Sequence, residues 1–577
     1  MKKELKKRGQ KFLKRFSRAS EKAGENSREH IKENFINRLS HIESIRLLIL
    51  EWGLLVAALI LLALTQAFWF NDSYSEDSFT KGGVYTEATL GEVNSLNPIF
   101  AVTNSEKTLS RLLFSTLATV DYSGNVGVGL AKTIHSDENG KVWTVAMKEG
   151  LKWSDGEPIT SDDVLFTINL IKNPATNSVY DANFTNVEVK KNEKEEIVFT
   201  LKSPYADFMS ALIVPILPKH CLENTDPKTL IEDKFSNGPI TSGAFSLNAM
   251  QAGSNEESIY YLSSNPYYYK GEPLLSSFSI HTYNSIDNII GAINSSSVTA
   301  TAELDESVLG SLKNRQFLYK NSSIKSGAYL FFNTTSAKVK NKDLRSAIRE
   351  GIDISEVRKI TNGAVAMDYP ILESQIKLDA KPTIPAYNFE NAKTKIAGII
   401  NDETKNLKLV TVKSGYLPEI ANKIAEFLHA LGFEVEVSIQ EENQDFINNT
   451  ITQRNYDILI YEIELGADPD PLAYYHSSQA SSSGLNLSNY RNTLVDDLLL
   501  GARNTLDETL RTKKYETFLE YWVGDVPAIG LYQVNLTYFY NENTRTYSND
   551  VRLVTQLDRF SDVENWAVNK VAKNKTP

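Results

Sequence analysis

The sequence predicts an α/β fold carried on one side of a membrane, with a basic tail on the other, and three observations lead there. Residues 52–70, WGLLVAALILLALTQAFWF, run nineteen positions without a charge, close to the ~20 residues a helix needs to cross a hydrocarbon core. Residues 1–46 hold 14 Lys and Arg against 6 Asp and Glu, which leaves 47 against 66, a net −19, for the rest of the chain. Between 405 and 475 the apolar residues alternate first at the period of a strand, then of a helix, then of a strand again. That succession is the mark of a largely parallel sheet with helices packed on it.

The basic head includes Lys2, Lys3, Lys6, Lys7, Arg8, Lys11, Lys14, Arg15 and Arg18. Phe12, Leu13 and Phe16 give it a short apolar stripe, so it reads either as a helix lying on anionic lipid or as a solvated topogenic tail. Residues 47–70 form the anchor, with Trp52, Phe68, Trp69 and Phe70 at the ends of the apolar run, where aromatic belts form. The positive-inside rule places the N-terminus in the cytoplasm and the chain beyond residue 70 outside. A cleaved signal peptide has a shorter apolar core and a short basic start; cleavage after Ala67 is the alternative to an uncleaved anchor. No cysteine follows the run to take a lipid. Residues 71–81 are polar and read as a linker.

From 82 to about 330 strands and turns dominate. Val142–Met147 alternates as a strand, Ile197–Leu201 is a short apolar one, and Thr160–Ile171 has a cap followed by Asp162 and Asp163 in a helical first turn. Further on, Leu407, Leu409 and Thr411 alternate. Pro418 starts a helix with Ile420, Ile424, Phe427, Leu428 and Leu431 on one face, and Gly432 ends it. Phe433 to Ile439 is the second strand, a helix follows around 444–454, and Tyr456–Ile463 is the third strand. Ligands of such sheets gather outside the carboxyl ends of the strands. The loop leaving the third strand is Glu464-Leu-Gly-Ala-Asp-Pro-Asp-Pro, with Glu464, Asp468 and Asp470 as candidate ligand-binding carboxylates for a cationic group. An ordinary solvated Asp-Pro turn is the competing reading.

The single cysteine among 577 residues, Cys221, excludes an intrachain disulfide framework and Cys-rich metal modules. No HExxH, GxSxG, Walker A or GxGxxG motif occurs. The seven histidines, His30, His41, His135, His220, His281, His429 and His476, form no ligand-like pairs in sequence. Asp468 and Asp470 have no nucleophile beside them in sequence. The expectation is therefore a binding protein, not an enzyme, with no cofactor and no metal. The acidic outer part also argues against nucleic acid as a partner. Trp143, Trp153 and the run Tyr267–Tyr269 read as packing residues.

Several segments, taken in order, resemble the extracellular solute-binding proteins of family 5, the oligopeptide-, dipeptide- and nickel-binding receptors of ABC importers. The most specific is Met147-Lys-Glu-Gly-Leu-Lys-Trp-Ser-Asp-Gly-Glu-Pro-Ile-Thr-Ser-Asp-Asp-Val-Leu-Phe, preceded by Leu130-Ala-Lys and Trp143-Thr-Val. Ser242-Gly-Ala-Phe-Ser-Leu, Asn265-Pro-Tyr-Tyr-Tyr-Lys-Gly-Glu-Pro and Asp343-Leu-Arg-Ser-Ala-Ile-Arg-Glu-Gly-Ile-Asp follow, and Leu96-Asn-Pro stands where the family has Leu-Asp-Pro. The resemblance covers about 82–566. It implies a two-lobed periplasmic-binding-protein-like fold of type II with an extra small domain, here preceded by one transmembrane helix. Lobe I would comprise 82–121, 236–325 and 526–566, the inserted domain 122–235, lobe II 326–525, and 567–577 a C-terminal tail.

The resemblance further implies a peptide ligand, permease subunits of an ABC importer as partners, and residues 47–70 as the membrane attachment. Peptide receptors of the family hold the ligand's α-ammonium with an Asp shortly before the Asp-Pro-Asp stretch, and Leu465 occupies that position here. The role passes to Glu464 or Asp468, or the ligand carries no N-terminal ammonium. Val102 to Asn104 match a second cleft-lining part, where the family's acid is absent and Glu106 is near. Alternatives are a peptide or pheromone sensor signalling through the tail, a receptor for a nickel complex or sugar, and an adhesin or hydrolase reusing the fold.

Overall fold

The computed structural model describes residues 46–574, apart from 185, 254–256, 314–315, 362, 443 and 483. The basic stretch 1–45, with Phe12, Leu13 and Phe16, lies outside the described residues.

In a first unit, residues 46–74 form one helix of 29 residues, α1 (Arg46–Tyr74), about 43 Å long at 1.5 Å per residue. Its described side chains run from Leu50 to Gln66, and Leu54, Leu55, Leu61 and Leu62 are each more than half exposed. Among the described residues no helix is long and apolar enough to cross a membrane. In the segment expected as a short linker, 71–81, α1 continues to Tyr74, and β1 (Ser75–Thr80) follows and forms a two-stranded sheet with the last strand, Asn569–Asn574.

The second unit, Phe79–Lys570, begins with β2 (Val84–Leu90) and α2 (Asn104–Leu113). A hairpin of β3 (Ala118–Val120) and β4 (Val126–Val128) leads to β5 (Ala131–Ser136), β6 (Val142–Met147), α3 (Ser161–Ile171), β7 (Val187–Lys191) and β8 (Ile197–Leu201). β5–β8 make a separate antiparallel sheet in the order β5-β6-β8-β7. α3 starts where the sequence placed it. Thr160 caps it, and Asp163 reaches back to the Thr160 N–H at 2.8 Å, closing a capping box.

Next come β9 (Phe245–Ala252), β10 (Ser258–Ser264), β11 (Ser277–Tyr283), α4 (Ile286–Asn294), β12 (Ala300–Thr301) and the 16-residue β13 (Phe317–Phe332). Helices α5 (Lys342–Gly351), α6 (Ile354–Lys359) and α7 (Phe389–Ala397) precede β14 (Asn406–Val412), α8 (Leu417–Ala430), β15 (Glu434–Gln440) and β16 (Ile458–Glu464). Then α9 (Thr493–Arg503) and α10 (Glu508–Asp525) lead to β17 (Ala528–Asn541), and the strand Asn569–Asn574 is β18. The helix expected around 444–454 is shorter, Gln444–Ile451, and its second half winds as a π-turn.

Ten strands form one mixed sheet, β15-β14-β16-β13-β17-β12-β2-β11-β10-β9. β14 pairs parallel with both β15 and β16, as the alternation predicted. Ile420, Ile424 and Leu428 of α8 are fully buried, and Gly432, at φ +105°, ends the turn after it. The long strands β13 and β17 run antiparallel through the whole sheet, but their register steps between Ser323 and Gly327. On one side of this step a core is built from residues between Ala328 and Tyr532; on the other, a core takes residues between Tyr85 and Ala300 and between Leu536 and Trp566. Trp143, Val145, Phe199 and Phe208 of the four-stranded sheet region belong to this second core. At its centre Glu87 and Arg559 pair at 2.6 Å, essentially without solvent contact, and Tyr538 donates to the same carboxylate at 2.7 Å.

Candidate ligand-binding cleft

The loop 464–470 leaves β16 at the edge of the step between the two cores, and it is tied down along its length. Leu465 N–H donates to the Lys325 carbonyl at 2.7 Å, and the Lys325 ammonium donates to the Ala467 carbonyl at 3.1 Å. Gln375 gives its amide to the carbonyls of Leu465 and Gly466 at 2.9 and 3.0 Å. Two of the three candidate carboxylates already have cationic partners. Asp468 takes both terminal nitrogens of Arg511, Nη1 at 2.6 Å, and Asp470 takes Nε of Arg503 at 2.7 Å. Burial pushes the Asp468 carboxyl above its ordinary range although Arg511 pulls it back. Glu464 differs: its carboxylate is exposed and takes no bond among the described residues, while its carbonyl accepts from Tyr474 at 2.5 Å.

The same loop meets residues from the four-stranded sheet region. Ala206 N–H donates to the Arg503 carbonyl at 2.9 Å, and the Arg503 guanidinium lies 5.0 Å over the Tyr205 ring. Asp207, partly buried beside Asp468, is pushed up to about 7 by burial first and by the Asp468 charge second.

Val102 is 61% exposed at the entry to α2. Thr103 caps that helix, and Glu106 returns to the backbone N–H groups of Val102 at 2.8 Å and Thr103 at 3.0 Å. Glu106, the acid nearest the expected cleft segment, is thereby consumed as a capping group. Asn104 donates to Glu303 at 3.0 Å, and burial raises the Glu303 carboxyl.

A second set of acids was not singled out from the sequence. Glu462 accepts from the Tyr532 hydroxyl at 2.9 Å. Burial pushes its carboxyl up to about 7, helped by the charges of Glu442 and Asp305. Asp305 comes from the other side of the step, where a Cβ on Gly415 would lie 3.3 Å from its Oδ2. Carboxylates from both halves of the sheet thus face one space. The signal in the sequence was Glu462 and Glu464, two apart in an otherwise apolar strand and so on one face.

The family model "Bacterial extracellular solute-binding proteins, family 5 Middle" matches residues 125–486. The chain belongs to this family. Family 5 proteins are binding receptors, and the relatives agree in extent: the oligopeptide-binding protein AppA of Bacillus subtilis (strain 168) is 26% identical over 495 residues, covering 81% of this chain and 89% of its own. The probable D,D-dipeptide-binding periplasmic protein DdpA of Escherichia coli (strain K12) is 23% identical over 481 residues, 78% of this chain and 89% of its own. Among solved structures, AppA from Bacillus subtilis in complex with a nonapeptide superposes with a TM-score of 0.71 at 24% identity, over 85% of this chain and 100% of that one. NikZ from Campylobacter jejuni in complex with Ni(L-His) does so at 0.73 and 22%, over 84% and 99%. The fold is therefore the two-lobed α/β architecture of these receptors.

In this family 5 receptor the remaining candidates fall as follows. Trp143 and Trp153 are buried, as packing residues are, whereas Tyr267 is 42% exposed with the Lys152 ammonium 5.3 Å over its ring. The expectation of packing fails for Tyr267 because the Asn265 turn leaves that side chain outward. Asp155, His220 and Cys221 bring three potential metal-ligating atoms within 4.8 Å of one another at the surface, where His220 already bonds Asp155 at 3.0 Å. Burial, with the charges of Asp155, Asp163 and Asp233, holds the Cys221 thiol protonated.

Proposed function

We propose that this family 5 receptor is held in the cell membrane by residues 47–70 and captures oligopeptides between its lobes for delivery to an ABC importer. The observation that carries the reading is that Glu462 and Asp305, from the two sides of the step in β13 and β17, act on each other across one space, with Glu464 two residues along the same strand from Glu462. The names of the relatives AppA and DdpA, an oligopeptide-binding and a probable dipeptide-binding protein, favour a peptide as the ligand. On this reading lobe I is 82–121, 236–325 and 526–566, lobe II is 326–525, and 122–235 is a subdomain of the first. Glu464 receives the α-ammonium in place of the absent acid at Leu465. Asp468 and Asp470 hold the loop through Arg511 and Arg503, and Val102 and Asn104 line the opposite wall. Closing the lobes is then a population shift toward the state the peptide binds better.

The anchor rests on the uncharged run 52–70 and on the basic stretch 1–46 that precedes it. Titration of the detergent-purified chain with free peptides of two to nine residues tests the ligand: saturable heat with peptides is expected, and binding of sugars in their stead overturns it. Alkaline extraction of membranes tests the anchor separately, since a chain released to the supernatant is not integrally held.

A further inference from the structure

A cavity of about 280 Å³ opens among the end of α5, the start of α6, the chain around Ile384 and the first residues of β17, with none of the candidate cleft residues in its lining. At about 30 Å³ per water molecule it has room for a small organic molecule. Ile352, Ile384, Trp522 and Ile529 give it apolar walls. Its charged lining is Arg349, only 7% exposed, together with Arg358 and Asp368, which pair with each other at 2.7 Å, and Asp353, whose carboxylate accepts from the Ser355 N–H at 3.0 Å.

Arg349 is poorly satisfied for a buried cation. Its Nη1 donates to the Val523 carbonyl at 2.7 Å, and its Nε is buried without a partner among the described residues. One turn earlier on the same helix Arg345 presents the opposite case. Its Nε, Nη1 and Nη2 all donate to carbonyls, of Asp525, Val526, Val339 and Lys340. The carboxylate nearest Arg349 in sequence, Glu350, is committed to Lys395 at 2.6 Å and Asn391 at 2.5 Å. Burial outweighs the nearby Glu350 charge and draws the Arg349 guanidinium down to about 10. A buried, incompletely satisfied cation lining a cavity is stabilised by an anion that enters it. The apolar walls then select among anions, since a hydrated inorganic ion gains nothing from Trp522 or Ile384.

We propose that this cavity is a second ligand site of the receptor, for a small carboxylate with an apolar body, whose carboxylate pairs with Arg349 while the body packs on Trp522 and Ile384. The site is separate from the interlobe cleft and does not depend on the peptide reading.

Fluorine NMR of the whole chain in detergent, with 4-fluorobenzoate as probe, tests this. Saturable binding is expected, with 4-fluorobenzamide and inorganic phosphate at least about tenfold weaker, because each lacks one half of the match. Arg349→Met should weaken the benzoate by about tenfold or more. Ile384→Trp, which fills the cavity and leaves Arg349 in place, should abolish binding with an unchanged far-UV circular dichroism spectrum and a cooperative urea transition, and it decides the matter if Arg349→Met does not fold. Absence of binding to the unmodified chain overturns the proposal. So do equal binding of the benzamide or of phosphate, retention in a folded variant, and displacement of the benzoate by a cleft-bound peptide.

Discussion

Replacing Glu462 by Gln isolates the cost of holding an ionised acid between Tyr532, Glu442 and Asp305. The amide keeps an oxygen to accept from Tyr532, 2.9 Å away, and removes the charge. Burial moves this carboxyl from 4.5 to about 7 in the folded chain. A group raised in this direction contributes stability that is complete below 4.5 and lost as the pH rises through about 7. At about 1.4 kcal/mol per pH unit the loss amounts to about 3 kcal/mol at most. Urea unfolding of ligand-free protein, followed by tryptophan fluorescence, should therefore show Glu462→Gln level with the parent at pH 4.5 and more stable by up to about 3 kcal/mol at pH 8. A bound cationic peptide should shrink or reverse the difference, because it stabilises the parent's ionised form. If the variant's advantage over the parent is no greater at pH 8 than at pH 4.5, the argument that these acids crowd one desolvated space is wrong.

Other substitutions separate the roles of the loop acids and the core. Glu464→Gln should weaken free-amine peptides about 10-fold or more in calorimetry, leave N-acetylated peptides unchanged, and leave stability unchanged, since the side chain is exposed. Asp468→Asn should instead weaken both peptide series by the same factor and lower the urea midpoint, because it frees Arg511 and loosens the loop; a selective loss for free amines would return Asp468 to the ammonium role. Arg559→Met leaves Glu87 charged and fully buried, so a loss of about 3–5 kcal/mol is expected in equilibrium unfolding. A loss under about 1 kcal/mol would mean the pair contributes little beyond its packing.

The elements with strong periodicity were legible because local chemistry and tertiary burial agree in them. Thr160 with Asp163, Pro418 with Gly432, and the alternation of Val142–Met147 each specify their own boundaries. The parallel trio β14, β15 and β16 was readable for the same reason. What the sequence left hidden depends on residues far apart along the chain. Glu87 meets Arg559, Asp468 meets Arg511, and Asp305 approaches Gly415 only after the two long strands have crossed the sheet. An acid in a loop looks equally available whether an arginine 43 positions on will claim it or not, and so Asp468 and Glu464 were indistinguishable until their partners were in place. Glu106 is simply near the cleft segment in the sequence, and its spacing from Thr103 is that of a capping box, which the structure forms.

Native mass spectrometry of the whole chain, released gently from membranes so that captured ligands survive, tests the central claim most directly. The account predicts a ladder of peptide masses that leaves the protein on partial unfolding and shrinks for Glu464→Gln. A single non-peptide mass, or a metal complex, carried stoichiometrically by the unmodified chain would contradict it.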